Sequence, residues 1–195
     1  GLENSMSTDP DTILVEAEEA MAKAMDYLQQ ELRGFRTGQA SSALVEYVKV
    51  DYYGSPTDLK SLAAISVPEP HQILIKPFDP SSLGAIKQGI EQAGLGLNPQ
   101  VEDKAIRISI PPLDQNRRKQ LVQQAKKAGE EQKVVLRNAR REANKHADSL
   151  AKQEGAHYPE DEIATLKDEI QELLKKYESK MDEAINAKAE EIQQV

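Results

Sequence analysis

Between Asp114 and Leu150 the chain carries the cations Arg117, Arg118, Lys119, Lys126, Lys127, Lys133, Arg137, Arg140, Arg141 and Lys145 against Asp114, Glu130, Glu131, Glu142 and Asp148. Elsewhere it is acidic, and the 195 residues sum to a formal net charge of -8. Such a charge repels nucleic acid at long range, so a concentrated basic stripe within it suits docking onto a polyanion. Three arginines within residues 137–141 sharpen this, because a guanidinium offers a planar fork to phosphate oxygens where an ammonium offers only a point charge. Advancing about 100° per residue places Lys119, Lys126, Lys133, Arg140, Arg141 and Asn144 within about 60° of Arg137. Leu121, Ala128, Val135, Ala139 and Leu150 cluster near a direction of about 200° on the same wheel. One side is expected to pack and the other to be positive. The plainer alternative is a solvated helix face balanced by Glu130, Glu131 and the acidic C-terminal segment.

Other chemistry finds little support. His71, His146 and His157 are scattered without ligand spacing, so no metal site is expected. The absence of cysteine removes disulfides and thiolate zinc, and fits a reducing compartment. No Gly-rich phosphate loop, nucleophile elbow or paired acid and base is visible, so neither an enzyme nor a bound cofactor is expected. No apolar run approaches membrane-spanning length and no charged-then-apolar leader is visible, which reads as a soluble, cytoplasmic protein. Gly1–Ser5 have the look of a tag remnant. Tyr52, Tyr53 and Phe78 could stack on bases, but on alternating strands they are expected to pack.

The elements that position the basic stripe follow from periodicity. Thr8 is the expected cap of a first helix, with Pro10 in its first turn and Asp11 completing a capping box. Ile13, Ala17, Ala20, Ala24, Leu28, Leu32 and Phe35 recur at helical spacing as far as Arg36-Thr37-Gly38. Short strands are predicted at residues 48–52, 65–67, 73–76 and 106–110. Asp79-Pro80 opens a helix bearing Leu83, Ile86, Ile90 and Ala93 that Gly94 stops. Beyond Pro111-Pro112, Asp114 caps a long helix reaching about Gln153, which Gly155 and Pro159 end. A third helix carries Ile163, Leu166, Ile170, Leu173, Leu174, Tyr177, Met181, Ile185 and Ile192 as its stripe. The first helix has no partner until the chain has passed the strands, so the bundle must join both chain ends around an inserted domain. The expected division is 1–37 and 113–195 for a three-helix bundle, with 38–112 for a small β/α/β domain. Thr37, Gly38, Gln39, Ile110, Pro111 and Pro112 form two neighbouring linkers and a hinge.

Six segments together resemble the ribosome recycling factor family. They are Phe35-Arg36-Thr37-Gly38-Gln39-Ala40-Ser41, Val50-Asp51-Tyr52-Tyr53-Gly54, Gly94-Leu95-Gly96-Leu97-Asn98-Pro99, Ile110-Pro111-Pro112-Leu113, Asn116-Arg117-Arg118-Lys119 and Leu136-Arg137-Asn138-Ala139-Arg140-Arg141-Glu142-Ala143-Asn144. They occur in family order and cover essentially the whole chain. The resemblance implies an α+β protein: an elongated three-helix bundle with an inserted, hinged β/α/β domain, giving an L shape. It also implies a monomer that binds the post-termination ribosome and, with elongation factor G and GTP hydrolysis by that factor, separates the subunits. Carried over by motif, Arg137 and Arg140 are the leading contacts to large-subunit ribosomal RNA. Arg36 and Arg118 follow, with Arg141 and Lys133 on the same face. The family usually has arginine where this chain has Gln39, so no phosphate contact is assigned there. The competing reading is a helical adaptor acting through protein contacts without RNA.

Overall fold

A computed structural model describes residues 9–153 and 158–194. Gly1–Ser5, Thr8, Gly155 and His157, each given a role or a reading above, lie outside the described residues. The chain divides into two compact units. One runs through Phe35 and resumes over Asn116–Gln194, and the other is Arg36–Gln115.

The first unit is built from α1 (Pro10–Arg33), α4 (Gln115–Ala151) and α5 (Glu160–Gln193). Asp9 is the observed cap of α1, one residue beyond the Thr8 expected. Its carboxylate accepts from the Thr12 amide at 2.8 Å and the Thr12 hydroxyl at 2.9 Å. Those bonds hold its pKa below the ordinary value. The helix also ends earlier than the apolar spacing suggests, at Arg33, where the Gly34 N–H closes onto the carbonyls of Glu31 and Leu32. Glu160, Asp161 and Glu162 fill the first turn of α5, where negative charge complements the exposed amides.

Two apolar clusters run along this unit. Met21, Ala24, Met25, Leu28 and Leu32 meet Ala125, Ala128, Leu136, Leu174, Tyr177, Met181 and Ile185, with Phe35 packed on their edge. Ile13 and Ala17 meet Ala143, Ala147, Leu150, Ile163, Leu166 and Ile170. The start of α1 therefore lies beside the end of α4 and the start of α5, so α4 runs antiparallel to its two neighbours. Two expected core positions are corrected. Ala20 is exposed because α1 turns Met21 and Met25 inward instead, and Val135 is 42% exposed. The buried face of α4 follows Ala125, Gly129, Leu136, Ala143 and Ala147, centred near 250° rather than 200° on the wheel at about 100° per residue.

Gly129 explains how α4 and α5 approach: a Cβ there would collide with Ile185 Cδ1 and stand 2.7 Å from Ile185 Cγ1. The helix forgoes about 1 kcal/mol of propensity at this position in exchange for contact.

The second unit holds β1 (Lys49–Tyr52), β2 (Ser55–Asp58), α2 (Leu59–Leu62), β3 (Ala63–Glu69), β4 (Gln72–Pro77), α3 (Leu83–Gln92), β5 (Pro99–Glu102) and β6 (Ala105–Ser109). The strands β3-β4-β6-β5 form one antiparallel sheet and β1-β2 a separate hairpin. Two of these strands, β2 and β5, go beyond those expected from periodicity. The β1–β2 turn is Tyr53-Gly54, both at positive φ (51° and 81°), which suits a two-residue hairpin. α3 carries Ile86 and Ile90 into a core with Val48, Val50, Leu59, Ile73, Ile75, Ile106 and Ile108, while Ala93 is exposed at its end. The aromatic side chains depart from the packing expected of them. Tyr53 is 81% and Phe78 69% exposed, and only Tyr52 is half-buried, its hydroxyl bonded to Asp79 at 3.2 Å. Tyr53 escapes because it occupies the turn, and Phe78 because it follows the last residue of β4.

Ile170 is fully buried in the bundle. Its replacement by alanine is expected to destabilise the protein by about 2 to 5 kcal/mol in denaturant titration. Equal stability would mean that this face of α5 is not packed. Gly129→Ala should destabilise despite its better helix propensity, because overpacking costs about 1 to 3 kcal/mol. Adding Ile185→Val should recover part of that loss, whereas additive losses would show that the two positions do not meet.

Candidate nucleic-acid interface on the second bundle helix

The basic side chains of α4 separate into two groups. Lys119, Lys126, Lys127 and Arg137 are exposed, with no intramolecular partner among the described residues. Arg141 is exposed, and its Nη1 donates to Asn138 Oδ1 at 3.4 Å. Lys119, Lys126, Arg137 and Arg141 share one direction on the helix within about 60°, and their span of about 33 Å follows from 1.5 Å per residue. Glu130 and Asp148 point into the same sector, but each is engaged by a lysine, Lys133 and Lys167 respectively. The sector is therefore net positive.

Lys133 and Arg140 belong to the second group, because they flank the buried face. The Lys133 side chain is only 13% exposed and its ammonium sits between Asp182 of α5 and Glu130 at 3.5 Å. The hydrogen bond to Asp182 raises its pKa, outweighing the opposing effect of burial. Arg140 is half-buried, and its Nη1 donates to Gln171 Oε1 at 3.3 Å. Both cations thus spend donors on α5. The buried Asn144 Oδ1 has no hydrogen-bond partner among the described residues.

Arg118 is half-buried in the first turn of α4, whereas Arg36 lies in the other unit. There Arg36 Nη2 donates to the carbonyl of Leu95, in a loop shaped by positive φ at Gly94 and Gly96. The structure therefore brings Arg137 and Arg141 together on an open face with Lys119 and Lys126, which the wheel already included. It sets Arg140 and Lys133 at the edge, and ties Arg36 to a backbone oxygen.

The linker residues are also placed. Thr37, Gly38, Gln39, Ile110, Pro111 and Pro112 all fall within Arg36–Gln115. Gly38 is buried at φ 76°, against Leu113 and Pro112. Its carbonyl accepts from His71 Nδ1 at 2.6 Å. No sequence signal points to His71, since a single histidine in a turn has no motif around it.

Among the described residues no helix is long and apolar enough to cross a membrane, and no cluster of His, Asp and Glu could hold a metal ion.

The sequence profile described as Ribosome recycling factor matches residues 28–192. The ribosome-recycling factor of Nitratidesulfovibrio vulgaris is 41% identical over 187 residues, covering 96% of this chain and all of that protein. That of Gloeothece citriformis is 44% identical over 183 residues, covering 93% and 99%. A solution structure of a ribosome recycling factor superposes with a TM-score of 0.74 at 41% identity, covering 95% of this chain and 98% of the other. A chain from models of the T. thermophilus ribosome recycling factor and E. coli elongation factor G bound to the E. coli post-termination complex gives 0.61 at 36% identity, covering 95% and 99%. With profile, relatives and structures agreeing over nearly its whole length, this chain belongs to the ribosome recycling factor family.

Proposed function

We propose that the protein recycles ribosomes after termination: it binds the post-termination ribosome in the cytoplasm as a monomer and, with elongation factor G and GTP, drives the subunits apart. The observation that carries this reading, beside family membership, is the exposed cationic row on α4 in a molecule of net charge -8. Long-range repulsion by the acidic remainder leaves that row as the part that a phosphate backbone attracts, so charge sets orientation as well as affinity. The partner surface is large-subunit ribosomal RNA, met first by Arg137 and Arg141, then by Lys119 and Lys126. Arg140 reaches it through the donors that Gln171 leaves open, and Arg118, about 100° around the helix from the row, is a secondary contact near the start of the helix. Arg36 shapes the Leu95 loop and contributes indirectly. The protein performs no covalent step itself, and the free energy of GTP hydrolysis enters through the elongation factor.

Binding to large subunits across a salt series tests this. Removing a cation that neutralises one phosphate should lower the slope of log affinity against log salt by about 0.7 to 0.9. Arg137→Ala with Arg141→Ala should therefore reduce the slope by nearly two such steps and leave thermal unfolding within about 0.5 kcal/mol of the parent. Parental affinity at every salt concentration would exclude this face and favour an adaptor that works without RNA.

Lys133→Ala should behave differently. Its ammonium is occupied by α5, so the salt slope should stay parental while stability falls by up to about 1 kcal/mol, the range of partly exposed ion pairs. A slope change as large as that of Arg137→Ala would place Lys133 among the RNA contacts.

A further inference from the structure

The turn between β3 and β4 holds both linkers at once. His71 Nδ1 donates to the carbonyl of Gly38 at 2.6 Å, and because a carbonyl only accepts, Nδ1 carries the proton. The Ala40 N–H donates to the carbonyl of Pro70 at 2.7 Å, and the Ile110 N–H donates to the carbonyl of His71 itself at 2.7 Å. One residue thus takes the incoming linker with its ring and the outgoing linker with its backbone. The linkers also pack on each other. Gly38 is buried at φ 76°, a Cβ there would stand 3.1 Å from Leu113 N and 3.2 Å from Leu113 Cγ, and Pro112 Cα lies at 3.6 Å. On the other side of the boundary Phe35 packs on the bundle core, with its N–H bonded to the carbonyl of Leu32 at 3.2 Å. Arg36 is already fastened to Leu95.

These bonds leave little chain for a pivot to occupy. We propose that His71 is a positioning residue that clasps both linkers to the α/β unit, confining motion between the units to the Phe35–Arg36 link and to the stretch from Asp114 to Asn116. Residues 37–40 and 110–113 then move with the α/β unit as part of it. A push on that unit reaches the boundary undiminished, because no slack linker lies in between. The side-chain bond makes His71 specific: asparagine places an amide N–H near the position of Nδ1, whereas alanine has no donor and glutamine sets its amide one bond further out.

The test uses the full chain with Lys104→Cys and Glu131→Cys, both exposed positions in a protein without cysteine, carrying spin labels for an inter-unit distance distribution. Amide exchange is followed in the same proteins without labels. In His71→Ala, exchange at Ala40 and Ile110 should accelerate about three- to tenfold, the equilibrium effect of removing one hydrogen bond, with Ile75 and Leu136 unchanged. The distance distribution should broaden. His71→Asn should restore both, and His71→Gln should resemble alanine, so the contrast between these two decides the matter if the alanine variant folds poorly. Parental exchange and distances in His71→Ala, faster exchange without a broader distribution, or asparagine as loose as alanine would each overturn the proposal. These readouts need no ribosome, so their failure is separable from failure of the recycling assignment on which the functional consequence rests. That consequence is slower subunit splitting by His71→Ala at parental ribosome affinity.

Discussion

The seam where α4 packs against α5 decides which cations of α4 stay free. The middle of the inner face of α4 is made largely of small residues, Ala125, Ala128, Gly129, Ala143 and Ala147, with Leu136 between them and Leu121, Val122 and Leu150 toward the ends. The positions flanking the seam come within reach of the neighbouring helix. Lys133 is drawn to Asp182 and Arg140 to Gln171, while Arg137, one position from the buried Leu136, points clear of the seam. A bulkier seam would push α5 away and release those two cations to solvent. The width of the available basic row is therefore a packing outcome as much as a property of composition.

The same geometry bears on charge. α5 supplies an acid, Asp182, that neutralises Lys133 at the edge of α4, and a lysine, Lys167, that neutralises Asp148 in the outer sector. Those paired charges cancel, and among the described residues Lys119, Lys126 and Arg137 remain unpaired in the outer sector. Exposed ion pairs contribute little to stability, about 0 to 1 kcal/mol each, so their larger effect is to shape the field. An acidic molecule with one uncancelled positive row approaches a polyanion in few orientations. For a factor that must seat correctly before another factor acts on it, restricted orientation is worth more than raw affinity.

The long helices and the insertion topology are legible in the sequence because they rest on strong, extended periodicity. Ile163 through Ile192 marks α5 almost residue by residue. The departures have local causes. β2 (Ser55–Asp58) and β5 (Pro99–Glu102) contain proline and polar residues that read as turns, yet β5 is an edge strand and β2 pairs on one side only, where proline is tolerated. A wheel that weights Val135 as apolar and gives Gly129 no weight misplaces the buried side of α4 by about 50°. In a seam where alanines and one glycine intersperse Leu121, Val122, Leu136 and Leu150, hydrophobicity points poorly to the buried side. Arg137 and Arg141 tolerate that error, since they stand far from either direction of the seam, whereas Lys133 and Arg140 do not.

The second unit shows a different limit. His71 holds two chain segments that are far apart in sequence, Gly38 and Ile110, through one ring nitrogen and one carbonyl. Nothing in residue type or spacing foretells such an arrangement, because it depends on the register of β4 against β6, where Gln72 faces Ser109. That register fixes His71 one residue before Gln72, opposite Ile110, and so aligns the outgoing linker with the turn. Gly38, packed on Leu113 and Pro112, aligns the incoming one beside it. The sheet register therefore holds both linkers at the β3–β4 turn, within the α/β unit.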